Sequence, residues 1–268
     1  MQRRTFMGAA AAAPLAIAAN SKVARSQVAD KKTYVLVHGT WCGGWFFGPL
    51  AENLRRQGHR VFTPTQTGAG ERKHLLSPEI TLETFILDVM NVIEAEELTD
   101  VILAGHSSAG PSITGVADRM PDRLRHVVYL DAVLAQSGQS FLDSWPSDAA
   151  EARRKAAREI NGVRVLPVPS PAPPKAGAPE DPVMAWFQRR LTPYPFAPFE
   201  MPLALTNPIG NGRPCTYIAF TKSPNPGLEK SRQFARSQRN WQWADLPQNH
   251  GAPAIAPGEV ATALQAIG

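Results

Sequence analysis

The stretch that most restricts the fold is an apolar run, Val101-Ile102-Leu103-Ala104, that passes directly into Gly105-His106-Ser107-Ser108-Ala109-Gly110. An uninterrupted apolar run of this length reads as a strand buried on both faces, and residues 112–120 beyond the turn are compatible with a helix. A sharp strand-to-helix turn carrying Gly-x-Ser-x-Gly, here with alanine in the last place, is a nucleophile elbow. It holds its serine in a strained backbone conformation with the hydroxyl exposed, so the flanking residues must be small. Gly105 and Ala109 meet that need, and Gly110 lets the helix pack close to the sheet. A frame centred on Ser108 would put His106 where the first small residue belongs, so Ser107 is the expected nucleophile.

The rest of the chain supplies alternating strands and helices. Residues 33–37 form a short apolar run ending at His38-Gly39, and residues 49–57 carry Leu50, Ala51 and Leu54 at helical spacing. A second short strand is expected at 60–63. A helix is expected at 82–95, with Leu82, Phe85, Ile86, Val89 and Ile93 on one face. Further strands are expected at 126–130, 216–220 and 241–246, and a closing helix at 258–267. Strict alternation implies an α/β fold, a mostly parallel sheet flanked by helices on both faces. A long interruption at about 132–212 contains Pro167-Val168-Pro169-Ser170-Pro171-Ala172-Pro173-Pro174, which cannot be sheet. Helix-compatible pieces at 149–160 and 182–191 flank it, and it is rich in large apolar residues. It reads as a helical, proline-rich cap over the sheet.

The chain has 268 residues, 43% of them apolar, which suits one domain of ordinary size. Its formal charge of +5 falls to +1 without Arg3, Arg4, Lys22 and Arg25, so basicity makes no case for nucleic acid. Arg3-Arg4-Thr5-Phe6-Met7 followed by an alanine-rich stretch reads as a twin-arginine export signal over 1–29, ahead of a single domain over 30–268. A periplasmic or secreted protein is then expected. The apolar stretch is short, alanine-rich and broken by Pro14, so no stable membrane anchor is expected. Cys42 and Cys215 fall at opposite ends of parallel strands and are expected as free thiols. Neither has the spacing of a metal site, and nothing calls for a cofactor.

Five pieces carry a resemblance to the α/β-hydrolase superfamily. They are His38-Gly39-Thr40-Trp41-Cys42-Gly43-Gly44-Trp45, the loop Thr65-Gln66-Thr67-Gly68-Ala69-Gly70-Glu71-Arg72, the Ser107 elbow, Tyr129-Leu130-Asp131-Ala132, and Asn249-His250-Gly251. Within that superfamily the chain is similar to small esterases akin to plant methyl-salicylate esterases, hydroxynitrile lyases and bacterial pyrethroid-type carboxylesterases. The resemblance implies a parallel sheet with the elbow at its centre and His250 as the base that activates Ser107. It also implies an oxyanion hole from the backbone N–H groups of Thr40 and Ser108. His106, though adjacent to Ser107, is expected to point away from it. His59, His74 and His126 read as surface or structural residues.

The acid is less direct. The plant members carry it after the strand corresponding to 216–220, where this chain has Thr221-Lys222-Ser223-Pro224-Asn225-Pro226 and no carboxylate before Glu229. Asp131, at the end of the strand following the elbow, resembles the arrangement of pancreatic-type lipases and ranks first, with Glu229 and Asp245 as alternatives. Trp41, His106, Trp145, Trp186 and Phe187 are the expected substrate contacts.

The implied activity is hydrolysis of a small, largely apolar aryl or alkyl ester through an acyl-enzyme. Amide or carbamate cleavage by the same groups, or a non-catalytic small-molecule binding protein of this fold, are the alternatives. Gly39 and Gly251 stand where hydroxynitrile lyases would have threonine and lysine, which disfavours cyanide chemistry. Ser107 disfavours dehalogenase and epoxide hydrolase assignments, which need an aspartate at the elbow.

Overall fold

A computed structural model describes residues 31–170, 181–222 and 224–267. The expected export signal therefore lies outside the described residues. In chain order the elements are β1 (Thr33–Val37), α1 (Gly48–Arg56), β2 (Arg60–Phe62), α2 (Leu82–Ala95), β3 (Val101–His106), α3 (Gly110–Arg119) and β4 (Leu124–Leu130). The cap follows with α4 (Ser147–Ala156), β5 (Arg158–Ile160), β6 (Val163–Leu166), α5 (Pro182–Gln188), β7 (Tyr194–Pro195) and α6 (Ala197–Glu200). The chain then returns to the sheet through β8 (Cys215–Phe220), α7 (Glu229–Ser237), β9 (Trp241–Leu246), α8 (Ala252–Ile255) and α9 (Pro257–Gln265).

The six-stranded main sheet has the order β2-β1-β3-β4-β8-β9, and every pairing is parallel. Strands covered on both faces read as near-continuous apolar runs, and β3 is buried throughout. Alternate residues of each strand feed two cores. Val35, Leu103, Val127 and Tyr217 face α2 and α3, while Leu36, Ala104, Val128 and Ile218 face α1 and α9. Each fully buried Leu or Ile there contributes about 1.5–3 kcal/mol relative to exposure, so the elbow stands on the most heavily stabilised part of the molecule.

The glycines around the elbow are required by close approach. A Cβ at Gly105 would lie 2.8 Å from Ile113 Cδ1, and one at Gly110 only 1.7 Å from the Val133 carbonyl oxygen. These two contacts seat α3 tightly against the sheet and against the loop after β4.

The cap differs from its expectation. The helix expected over 149–160 stops at Ala156, and residues 158–160 turn into a strand. β5, β6 and β7 form a three-stranded antiparallel sheet. Arg158, Glu159 and Ile160 are all exposed, so their sequence shows no alternation of apolar and polar positions to mark a strand. The cap is fastened at its base: the Thr192 amide donates to the Trp41 carbonyl at 3.0 Å, and the Gly70 amide donates to Thr192 Oγ1 at 2.9 Å. Cys42 and Cys215 are buried free thiols.

Candidate active site

Ser107 follows β3 directly and has φ +55°, the left-handed region that a serine adopts only where the surroundings enforce it. Its carbonyl accepts from the Val133 amide at 2.9 Å, which ties the elbow to the loop after β4. Its hydroxyl donates to His250 Nε2 at 2.9 Å. On the other side of that ring, Nδ1–H donates to Asp131 Oδ2 at 2.7 Å. The three side chains expected to act together are therefore joined by two hydrogen bonds of ordinary length, across sequence separations of 143 and 119 residues.

Asp131 stands at the end of β4 with φ +45° and a side chain 1% exposed. A buried carboxylate needs its oxygens satisfied. Oδ2 is used by His250, and Oδ1 accepts from Arg232 Nη2 at 2.8 Å. The same Nη2 donates to the Phe220 carbonyl at 3.0 Å, so the arginine is held between the ends of β4 and β8. The bond to the Asp131 carboxylate raises the Arg232 pKa against the lowering effect of burial. Nothing in the sequence marked Arg232, since one arginine on a polar helix face resembles any other.

The two alternative acids are elsewhere. Glu229 is exposed and accepts from Gln233 Nε2 at 3.1 Å. Asp245 is exposed and accepts from Trp243 Nε1 at 3.0 Å. Ser108, the rival serine, has its Oγ turned to Thr40, whose Oγ1 donates to it at 2.9 Å. That bond clamps the loop after β1 to the elbow and fixes the spacing of the Thr40 and Ser108 amides. The Thr40 amide makes no hydrogen bond among the described residues, and Thr40 lines the cavity. The Ser108 amide lies in the first turn leading into α3, where N–H groups lack partners within the helix.

A network behind the clamp holds it. His38 is fully buried, donates from Nδ1 to the Gly39 carbonyl at 2.9 Å and accepts at Nε2 from the Gln66 amide at 3.0 Å. The bond accepted at Nε2 requires the neutral ring, and burial lowers its pKa to about 4. Gln66 in turn accepts from Tyr194 of β7 and donates to Ser112 Oγ at 3.2 Å. A Cβ at Gly39 would lie 2.8 Å from Ser107 Cβ, so the residue beside the serine must be glycine for the two loops to meet.

His106 does point away from Ser107, as expected. Its Nε2–H donates to the His250 backbone carbonyl at 2.8 Å, and its ring stacks on Phe46 at 4.8 Å and lies 4.5 Å from the His250 ring. Burial, and then the proximity of His250, drive its pKa well below the ordinary histidine range, so it is neutral. His126 and His59 are also buried; His126 Nε2 bonds Thr216 Oγ1 at 2.8 Å.

Ser107 and His250 open onto a cavity of about 490 Å³ between sheet and cap. Of the residues expected as substrate contacts, Trp41, His106, Trp145 and Phe187 line it, together with Cys42, Phe46, Phe141, Met184, Leu191 and Leu228. Trp186 is a correction. It does not line the cavity but packs edge-on against Trp45 at 5.4 Å and beneath the Arg190 guanidinium at 4.6 Å. Consecutive residues of α5 point about 100° apart, so Phe187 and Trp186 cannot both face inward. Arg153, also unmarked by the sequence, lines the cavity from α4.

The sequence pattern of the alpha/beta hydrolase family matches residues 34–263. The chain belongs to that family. It is 39% identical to the carbendazim hydrolyzing esterase of Nocardioides sp. over 249 residues, which cover 88% of this chain and 99% of that one. Among solved structures, it resembles an extracellular alpha/beta-hydrolase from a Paenibacillus species, described as sharing homology with tobacco salicylic acid binding protein 2. The TM-score is 0.68 at 22% identity, over 87% of this chain and 98% of that one. A pyrethroid hydrolase from Sphingobium faniae superposes with a TM-score of 0.66 at 22% identity, over 87% and 95% of the two chains. At that identity these structures bear on the fold of this hydrolase alone.

Proposed function

We propose that this hydrolase is a serine carboxylesterase acting on small, largely apolar esters. Ser107 attacks the ester carbonyl while His250 Nε2 takes its proton, and Asp131 fixes the His250 tautomer and stabilises the imidazolium. The Thr40 and Ser108 amides receive the oxyanion, each such donor being worth ~3 kcal/mol where one has been removed from an enzyme. His250 then protonates the leaving alcohol, and water repeats the sequence on the acyl-enzyme.

The observation that carries the reading is the unbroken line from Ser107 Oγ through His250 to Asp131, at 2.9 and 2.7 Å, ending in an apolar cavity. The cavity volume of about 490 Å³ suits a small molecule. The likeness over nearly its whole length to an esterase named for carbendazim supports ester chemistry. Because carbendazim is a methyl carbamate, that name also favours carbamate cleavage as a second reading on the same groups.

The test is a fluorophosphonate labelling and turnover experiment on 4-nitrophenyl esters. The expected result is a burst of nitrophenolate and a covalent adduct mapped to Ser107. A folded protein that gives neither would instead be a binding protein. Export is supported by Arg3-Arg4 ahead of the alanine-rich stretch, and Arg3→Lys with Arg4→Lys should leave the protein unprocessed in the cell.

A further inference from the structure

Among the residues lining a mostly apolar cavity, Arg153 is the one that carries a fixed charge. Its guanidinium carbon lies 3.8 Å from the centroid of the Trp145 ring, a cation–π stack. Among the described residues it forms no ion pair and finds no protein acceptor, and its Nε is buried without a partner. Its neighbours on α4 are different: Arg154 pairs with Glu151 and Glu200, and Lys155 pairs with Glu151. The nearby Lys230 adds more positive charge, its Nζ bonding the carbonyls of Asp143 and Trp145 at 3.1 and 3.2 Å. Among the described residues no carboxylate lines the cavity.

The platform is built to hold the arginine still. Trp145 is pressed against Gly227, where a Cβ would come within 2.7 Å of the indole ring. A planar cation fixed on an immobile ring, with its N–H groups unclaimed, is pre-organised for a planar anion. Burial lowers the pKa of Arg153 to about 10, so it is charged at neutral pH. A half-buried charge whose Nε lacks a partner is costly, and a ligand that supplies one recovers part of that cost on binding.

We propose that Arg153 selects substrates bearing a carboxylate in addition to the scissile ester, such as half-esters of dicarboxylic acids or esters of carboxyphenols. This rests on the esterase reading above and narrows its substrate class. A brace that merely holds the cap closed would alter neutral and anionic esters alike.

The experiment compares kcat/KM for matched pairs. One pair is mono-(4-nitrophenyl) glutarate against 4-nitrophenyl pentanoate, with the carboxylate on the acyl side. The other is 4-acetoxybenzoate against 4-methylphenyl acetate, with it on the alcohol side. Intrinsic reactivity cancels when each anionic-to-neutral ratio is compared between wild type and Arg153→Met. The ratio should fall about 10- to 100-fold in at least one pair, as expected for a lost charge-assisted hydrogen bond, and Arg153→Lys should recover part of it. Equal ratios in both pairs, with esters cleaved, overturn the proposal. The Ser107→Ala protein reads the same selectivity without chemistry, through quenching of tryptophan fluorescence by 4-nitrobenzoate against 4-nitrotoluene. A carboxylate preference that depends on Arg153, in a wild type that cleaves no ester, would retire the esterase reading and leave this site standing. Loss of preference in neither assay would remove the site.

Discussion

Arg232 Nη2 donates to the Oδ1 oxygen of Asp131 at 2.8 Å, leaving Oδ2 free for His250. The acid is thus held by an arginine from α7, an element with no other part in the site. Arg232→Met should leave a carboxylate that is 1% exposed with one oxygen unsatisfied. The expected cost is about 2–3 kcal/mol in stability, read by urea unfolding, with kcat falling while KM changes little. Arg232→Lys, which can still reach Oδ1, should recover part of both. Unchanged kcat in folded Arg232→Met would show that the pair is structural only.

Removing the acid's charge is the sharper test. Asp131→Asn should lower kcat by about 10⁴, the size of the effect where this change was made in a serine protease, because His250 loses the group that fixes its tautomer. Glu229→Gln and Asp245→Asn, whose carboxylates are exposed and bonded elsewhere, should stay within about 2-fold of wild type on the same aryl ester. A crippled Glu229→Gln would transfer the role.

Ser107→Ala should abolish turnover and fluorophosphonate labelling while leaving the circular dichroism spectrum and unfolding midpoint close to wild type, since only an oxygen is removed. Ser108→Ala keeps the attacking group and loses the bond from Thr40 Oγ1, so it should be impaired but still labelled. The opposite pattern would mean that the nucleophile is Ser108.

Gly39→Ala should act through geometry alone. The new methyl would sit 2.8 Å from Ser107 Cβ and 3.1 Å from His106 Nδ1, forcing the loop after β1 outward with the Thr40 amide. Turnover should drop about 100-fold, in line with displacements near 1 Å at a reacting centre, and a crystal structure of the variant should show the displaced loop. Wild-type turnover would mean that the Thr40 amide does not serve the reaction.

Stability should depend on pH through the buried histidines. Burial holds His38 at about 4, and burial followed by the Arg125 charge holds His126 at about 4, against 6.5 for the ordinary side chain. Between those values the unfolded chain binds more protons than the folded one, so stability falls as pH drops from about 6.5 towards 4 and is insensitive to these groups above 6.5. Urea midpoints measured from pH 7.5 to 4.5 should show that decline, and His126→Gln should flatten it. Identical slopes for the two proteins would remove His126 from the account.

The elements visible in the sequence are those whose neighbours are dictated locally. β3 is apolar because both its faces are covered, and the small residues at Gly105 and Gly110 record how closely Ile113 and Val133 approach. His250 is legible through its place in a family pattern, and Asp131 through its position at a strand end together with the emptiness of the usual acid position. Arg232 is not legible in the sequence, because its role exists only where the ends of β4 and β8 meet α7. β5 is three residues long and solvent-facing, so no periodicity betrays it, and in β6 the alternation Val163-Arg164-Val165 is too short to stand out. Trp186 and Phe187 look equivalent in sequence, and only the rotation of α5 separates a wall residue from a cavity residue.

The backbone at Ser107 has a thermodynamic consequence. A non-glycine residue in the left-handed region costs about 1–2 kcal/mol, which glycine there would not incur. On the proposed reading, in which Ser107 supplies the attacking hydroxyl, the fold keeps a standing strain at that position, and heat tolerance and turnover pull in opposite directions there. Random variation screened for thermal endurance alone would drift towards Ser107→Gly and an inert protein, so any search for a hardier form of this hydrolase has to select for catalysis at every round.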